Sequence, residues 1–163
     1  KKLLFMGQDF AQEREWSEAR ELDWYLLEND LHCGMKEYVA ELLKLYNKYP
    51  CLYELDRSYD GFQWINADDT EKSIYSFIRK DSAEKNNLLF VLNFTPMERT
   101  DYRVGVPELK KKYKVMLNSD EKRFGGNGKE FEKSYKAEKI PWDGQPYSIG
   151  FELPPYGAVV LKF

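Results

Sequence analysis

Groups able to do chemistry are few in this chain and do not converge. The one histidine, His32, could act as a general base, but it lacks the Asp and nucleophile partners of a triad. At the start of a helical pattern it reads as a cap or packing contact. Cys33 and Cys51 flank a predicted helix of about a dozen residues, and at ~1.5 Å rise per residue that helix would hold them too far apart for a disulfide. Both read as reduced thiols, as expected in the cytoplasm. One His and two distant Cys do not close a four-ligand zinc site, and no paired ligand spacing occurs, so neither a metal nor a cofactor is expected. Asn93-Phe94-Thr95 fits a glycosylation triplet, but Pro96 follows it and it reads as a turn at a strand end. The run Gly125-Gly126-Asn127-Gly128-Lys129 lacks the strand and helix of a phosphate loop and is likewise a turn.

Aromatic side chains are the compositional excess, at 16% of residues. They suit either β-sandwich packing with some surface Tyr or stacking platforms for sugar rings, and Trp64, Tyr75, Phe77 and Tyr102 are assigned to the core. Lys and Arg number 25 against 28 Asp and Glu, with no basic block, so neither nucleic acid nor an anionic membrane is an expected partner. No apolar run approaches the ~20 residues of a membrane-spanning helix, and no secretory signal is evident.

The elements that must position these groups fall into two stretches. Lys1 to Gly7 opens on an apolar run typical of a strand buried on both faces, as though the chain were the remainder of something larger. Ala11 to Leu31 reads as a long ordered loop with one helical turn. From Met35 to Tyr49, the apolar Met35, Tyr38, Val39, Leu42, Leu43 and Tyr46 recur at helical spacing, and Pro50 stops the pattern. Short β-type runs then follow: 62–66, 74–80, 88–94, 102–104, 113–117, 130–135, 147–153 and 158–163, with 81–87 as a hairpin between the second and third. Such a series of short runs predicts an antiparallel sandwich. The expected division is residues 1–50 and 51–163, the latter large enough to bury its own core.

Specific motifs lie along the whole chain. They include Phe5-Met6-Gly7-Gln8-Asp9-Phe10, Arg14-Glu15-Trp16, Leu22-Asp23-Trp24, Gly61-Phe62-Gln63-Trp64-Ile65, Val91-Leu92-Asn93-Phe94-Thr95-Pro96, Tyr102-Arg103-Val104-Gly105-Val106-Pro107 and Leu153-Pro154-Pro155. In this order they resemble the glycogen (1,4-α-glucan) branching enzymes of the α-amylase superfamily, from the last strand of the catalytic barrel onward. The resemblance implies a mainly β fold: an antiparallel C-terminal β-sandwich of about eight strands, preceded by the last strand, loop and helix of a (β/α)8 barrel. It also implies a retaining transglycosylase of glycogen biosynthesis, in which a carboxylate nucleophile and a carboxylic acid flank the scissile bond at about 5 Å from each other. In the family those groups sit on earlier barrel strands, so no catalytic residue is expected here and the fragment should be inactive.

Arg99-Thr100-Asp101 has the Arg-x-Asp spacing of the family's nucleophile strand but lacks its apolar lead-in and is read as a β-domain turn. Gly7, Gln8, Asp9 and Trp16 would border the glucan cleft of the intact enzyme, since loops after barrel strands line the active face. The implied partner is an α-glucan. The orphaned strand and helix would leave the fragment prone to self-association. The alternative is a free-standing carbohydrate-binding or interaction module, which would need an exposed aromatic strip.

Overall fold

The computed structural model describes residues 2–109 and 112–163. Its one long helix, α1 (Asp30–Lys48), begins where the Asn29 side chain accepts a hydrogen bond from the Leu31 N–H, and it ends before Pro50. The helix starts earlier than its apolar spacing predicts, because Asn29 caps a first turn whose Leu31 faces solvent and so lies off the apolar stripe. Eight strands follow: β1 (Phe62–Asp69), β2 (Ile74–Arg79), β3 (Leu88–Asn93), β4 (Arg99–Val106), β5 (Tyr113–Asn118), β6 (Ser134–Tyr135), β7 (Tyr147–Leu153) and β8 (Ala158–Lys162).

The large sheet runs β1-β2-β3-β8-β5-β6 and the small one pairs β4 with β7, every pairing antiparallel. Burial alternates along the strands as period-two side chains require. Ile74, Ile78, Leu89, Val91, Val159 and Leu161 of the large sheet meet Val104, Val106, Ile149, Phe151 and Leu153 of the small one in a single core. The fold is therefore mainly β and antiparallel, with eight strands where eight β-type runs stand in the sequence.

The second cluster lies on the opposite face of the large sheet. Leu45, Tyr49, Cys51 and Leu52, from the end of α1 and the turn after it, cover Leu88, Leu117 and Val160. The helix approaches closely at Gly34, where a Cβ would stand 2.8 Å from the Phe124 carbonyl carbon, and Tyr38 packs edge-on against Phe124 with ring centroids 5.3 Å apart. Glycine inside a helix costs about 1 kcal/mol relative to Ala, and here it admits the neighbouring backbone.

Four expectations are corrected. The apolar run 3–6 forms no strand: among the described residues no ladder partner lies beside it, and Leu3 is 86% exposed. An isolated strand cannot satisfy its backbone groups through a sheet. Arg99-Thr100-Asp101 opens β4 rather than forming a turn, because pairing with β7 extends to Arg99 opposite Leu153. The run 130–135 reduces to Ser134–Tyr135, which pairs only with the start of β5 at the sheet edge. Trp64 and Tyr75 are exposed and Phe77 is half-buried, while Tyr102 does lie in the core.

An ionic contact ties Lys2 to the sandwich. Asp56 accepts from Lys2 Nζ at 2.6 Å and from Arg79 Nη2 at 2.7 Å. Burial by itself would raise the Asp56 carboxyl, but these hydrogen bonds outweigh it and hold the group at about 2. A depressed carboxyl contributes stability that is present above its unfolded value of about 4 and is lost as pH falls toward the folded value. Asp56→Asn is therefore expected to lower stability at neutral pH by about 1 kcal/mol, the Lys2 arm being discounted for solvent screening. The difference from the parent chain should close between about pH 4 and pH 2 in urea titrations. A gap that stays constant across that window would contradict the assignment.

Candidate functional site

The segment before α1 is held by polar side chains acting on backbone. Gly7 adopts φ +82, in the left-handed region, and a Cβ there would stand 2.8 Å from the Gln12 Cβ, so glycine is required. The chain then makes a 3-10 turn over Gln8–Phe10. Gln8 Oε1 accepts from the Phe5 N–H at 2.9 Å, and Gln12 both donates to the Arg14 carbonyl at 2.9 Å and accepts from the Asp23 N–H at 2.8 Å. Arg14 pairs with the buried Asp23 carboxylate through two nitrogens, Nε donating at 2.8 Å. The hydrogen bond from Arg14 lowers the Asp23 carboxyl below its ordinary value against the opposing effect of burial.

His32 hydrogen-bonds through Nδ1 to the Phe10 carbonyl at 2.8 Å, and Phe10, fully buried, packs on Trp24 at 5.2 Å between ring centroids. His32 thus fastens the turn to α1. Of the residues expected at a cleft border, Gly7, Gln8 and Asp9 form the turn itself. Trp16 is brought beside it by an edge-to-face contact with Phe5 at 5.5 Å. Gln8 is exposed and Asp9 half-buried, and among the described residues no side chain pairs with the Asp9 carboxylate. Trp16 keeps part of its ring in solvent.

A second surface carries three of the rings expected in the core, Trp64, Tyr75 and Phe77, on its outer side. Along β1, β2 and β3 the outward positions hold Phe62, Trp64, Tyr75, Phe77 and Phe90, with Phe94 just beyond. Phe62 stacks on Phe77 at 5.2 Å, and Phe77 on Phe90 at 4.8 Å with planes 8° apart. Trp64 meets Phe62 and Phe77 edge-on, and Tyr75 meets Phe94 likewise. Trp64 remains 53% and Tyr75 38% exposed. The period-two spacing of Phe62 and Trp64, and of Tyr75 and Phe77, is the available signal; what sequence does not supply is that α1 stops short of this half of the sheet.

The two thiols lie apart from both surfaces. Burial, with Asp81 nearby, pushes the Cys51 thiol up to about 12, so it stays protonated at neutral pH, while the exposed Cys33 thiol donates to the Leu27 carbonyl at 2.7 Å. Carboxyl groups that are clearly displaced move downward: Asp23 through Arg14, Glu41 through Lys44, Asp56 through Lys2 and Arg79. A glycosidic general acid needs the opposite displacement. Among the described residues, no group of three or more His, Cys, Asp or Glu could hold a metal ion, and no helix is long and apolar enough to cross a membrane.

The sandwich has a family. Residues 64–163 match the model for the alpha amylase C-terminal all-beta domain, and the chain belongs to that family. Its relatives narrow the class. The chain is 59% identical over 163 residues to 1,4-alpha-glucan branching enzyme GlgB of Butyrivibrio fibrisolvens, covering 100% of this chain and 25% of that protein. It is 46% identical over 162 residues to the enzyme of the same name from Geobacillus stearothermophilus, covering 99% of this chain and 25% of the relative. The chain thus spans about a quarter of the length of these curated relatives. Among solved structures, an inactive MutB double mutant in complex with isomaltulose aligns with 78% of this chain and 17% of its own, at TM-score 0.51 and 12% identity, a likeness of fold alone.

The Arg14–Asp23 pair makes a local prediction. Asp23→Asn should leave the sandwich intact and loosen residues 11–29, so that trypsin cuts after Arg14 and Arg20 several-fold faster while cleavage within the strands is unchanged. Equal cleavage rates at those sites would show that the pair does not hold the loop.

Proposed function

We propose that this chain is the C-terminal part of a 1,4-α-glucan branching enzyme of glycogen biosynthesis acting in the cytoplasm. Residues 1–50 are then the end of its catalytic (β/α)8 barrel and residues 51–163 its sandwich domain. The observation that carries the reading is identity to a branching enzyme sustained across the whole chain, 59% over 163 residues. The intact enzyme would cleave an α-1,4 link through a covalent glycosyl-enzyme and pass the chain to a 6-hydroxyl, using two carboxyl groups about 5 Å apart supplied from outside this chain. Gly7, Gln8, Asp9 and Trp16 would border the glucan cleft. The unpaired Asp9 carboxylate can accept from sugar hydroxyls, and the free part of the Trp16 ring can lie against a pyranose face.

An iodine-stain branching assay tests the division of labour. The 163-residue chain should give no turnover by itself, since positioning two carboxyl groups around one bond is the mechanism. Turnover by the chain alone would sink the reading. Its exposed apolar run 3–6 would also promote self-association, which light scattering reads as a mass rising with concentration; the apolar side of the helix, expected to be orphaned, is instead packed on the sheet.

The aromatic face of β1, β2 and β3 favours a second role, direct contact with glucan by the sandwich. Native electrophoresis in glycogen-containing gels separates this from a packing role. Retardation that falls several-fold in Trp64→Ala, and not in a variant of an exposed Tyr outside these ring contacts such as Tyr59→Ala, supports contact, whereas free migration of the parent chain denies it.

A further inference from the structure

Where the edges of the two sheets approach each other, a cleft of about 540 Å³ opens, within the roughly 300–1,000 Å³ of small-ligand sites. Both strands that wall it break register there. β1 slips between Trp64 and Asn66 and again between Asn66 and Asp69, and β4 slips between Arg99 and Tyr102. Bulges re-aim side chains, and here the irregular stretches contribute Asn66, Asp69, Arg99 and Tyr102 to one cavity.

The third wall is the loop at Trp142-Asp143, clamped in place. Asp143 sits at φ 49, a left-handed conformation that Asp adopts more readily than most residues other than glycine, and its carboxylate accepts from Asn66 Nδ2 and from the Gly105 N–H, each at 3.0 Å. A Cβ at Gly105 would fall 2.1 Å from the Trp142 carbonyl oxygen, so only glycine lets the loop lie this close to β4. The result presents the Trp142 ring, 45% exposed, at the rim of the cleft.

The polar character of the cleft selects a ligand class. Its lining holds four carboxylates against three cations, and Lys72 already faces Asp69 at 3.8 Å, so a strongly charged ligand gains little. Tyr102 is 6% exposed and among the described residues its hydroxyl has no hydrogen-bond partner, as is also true of Arg99 Nε. Buried polar atoms without partners are rare and costly. Planar amide, carboxylate and guanidinium groups around an exposed indole suit a neutral molecule that both donates and accepts through several hydroxyls and has an apolar ring face.

We propose that this cleft is a saccharide site taking a short run of α-1,4-linked glucose, separate from the aromatic face and from the turn at Gly7 to Asp9. The saccharide chemistry stands on the residues of the cleft; the choice of α-glucan rests on the branching-enzyme reading.

Two-dimensional amide NMR of the 163-residue chain, titrated with maltohexaose and separately with cellohexaose, tests it. Maltohexaose should give saturable shifts of the Trp142 indole N–H and the Asn66 side-chain amide. Apparent affinity should fall about ten-fold in Trp142→Ala and several-fold in Tyr102→Phe, and should hold in Trp64→Ala. Trp142→Ala removes an exposed ring and Tyr102→Phe keeps the buried one, so both should fold, as unchanged backbone spectra would show. Equal response to cellohexaose overturns the α-glucan assignment. Absence of saturable shifts at Trp142 with either sugar, or shifts that persist in Trp142→Ala, overturns the site itself, whatever the Trp64 indole reports of the aromatic face.

Discussion

The large sheet carries apolar side chains on both faces, so a single layer laid against one of them cannot remove all its nonpolar surface from water. β4 and β7 cover the inner face, and together the two sheets form one core. On the outer face the cover is α1 and the turn that follows it, which reach Leu88, Leu117 and Val160 and stop. Phe90 belongs to both regions: it edges the helix-covered cluster and also stacks on Phe77. The aromatic face is thus the uncovered continuation of a packed one. Its rings shield one another, since each stacked or edge-on neighbour removes area from water that no second layer removes. Exposed area on Trp64 and Tyr75 is the surface left over, and it is contiguous.

The helix holds its position through a loop that is rigid for local reasons. Asp120, buried after β5, accepts from the Asn127 and Lys129 N–H groups at 2.9 and 2.8 Å and thereby closes the turn 120–129. Gly126 lies so near the Asp120 carbonyl that a Cβ would be 2.3 Å from it. This closed turn presents Phe124 to Gly34 and Tyr38, and Arg123 to Glu37 at 3.1 Å. Exposed ion pairs of that kind contribute little, typically under ~1 kcal/mol, so the apolar contacts of Phe124 and Leu117 carry the seat and the charges refine its register. The pre-helix turn in its turn hangs on α1 through His32 and Phe10. Order therefore passes from the sheet to the turn at 120–129, to the helix, and last to the segment holding Gln8, Asp9 and Trp16.

How much of this was legible in sequence differs by element. Strands of the sandwich announce themselves because alternation and turn residues are local properties, and all eight runs correspond to strands. Misplaced boundaries trace to pairing, which is not local: Arg99 is strand because Leu153 stands opposite, and 130–133 is not because the ladder with β5 ends at Ser134 opposite Lys114, beyond which Val115 makes one further bond to the Lys133 carbonyl. The apolar run 3–6 has strand composition without strand neighbours. Trp64 and Tyr75 share the β-type composition of Ile65 and Ile74, and only the extent of α1 decides which side of those strands meets solvent. At Gly7, Gln8, Asp9 and Trp16 the expectation rests on family resemblance, while the bonds from Gln12 to Asp23, Arg14 to Asp23 and His32 to Phe10 join positions too far apart in sequence for any spacing rule.

The distribution of polar groups separates recognition from bond-making within this chain. Buried polar side chains are largely engaged in closing turns: Asn93 donates to the carbonyls of Met97 and Pro154, Asn118 to that of Lys129, and Asp81 accepts from the Lys85 N–H. Carboxylates drawn toward lower values by Arg or Lys are fixed in the charged state, and a group so fixed cannot hold the proton that a leaving oxygen must receive. Surfaces that remain available hold rings, amides and unpaired hydroxyl or carboxylate groups, which bind by stacking and hydrogen bonding without changing protonation. Groups of that kind suit holding a molecule in place rather than moving a proton to it.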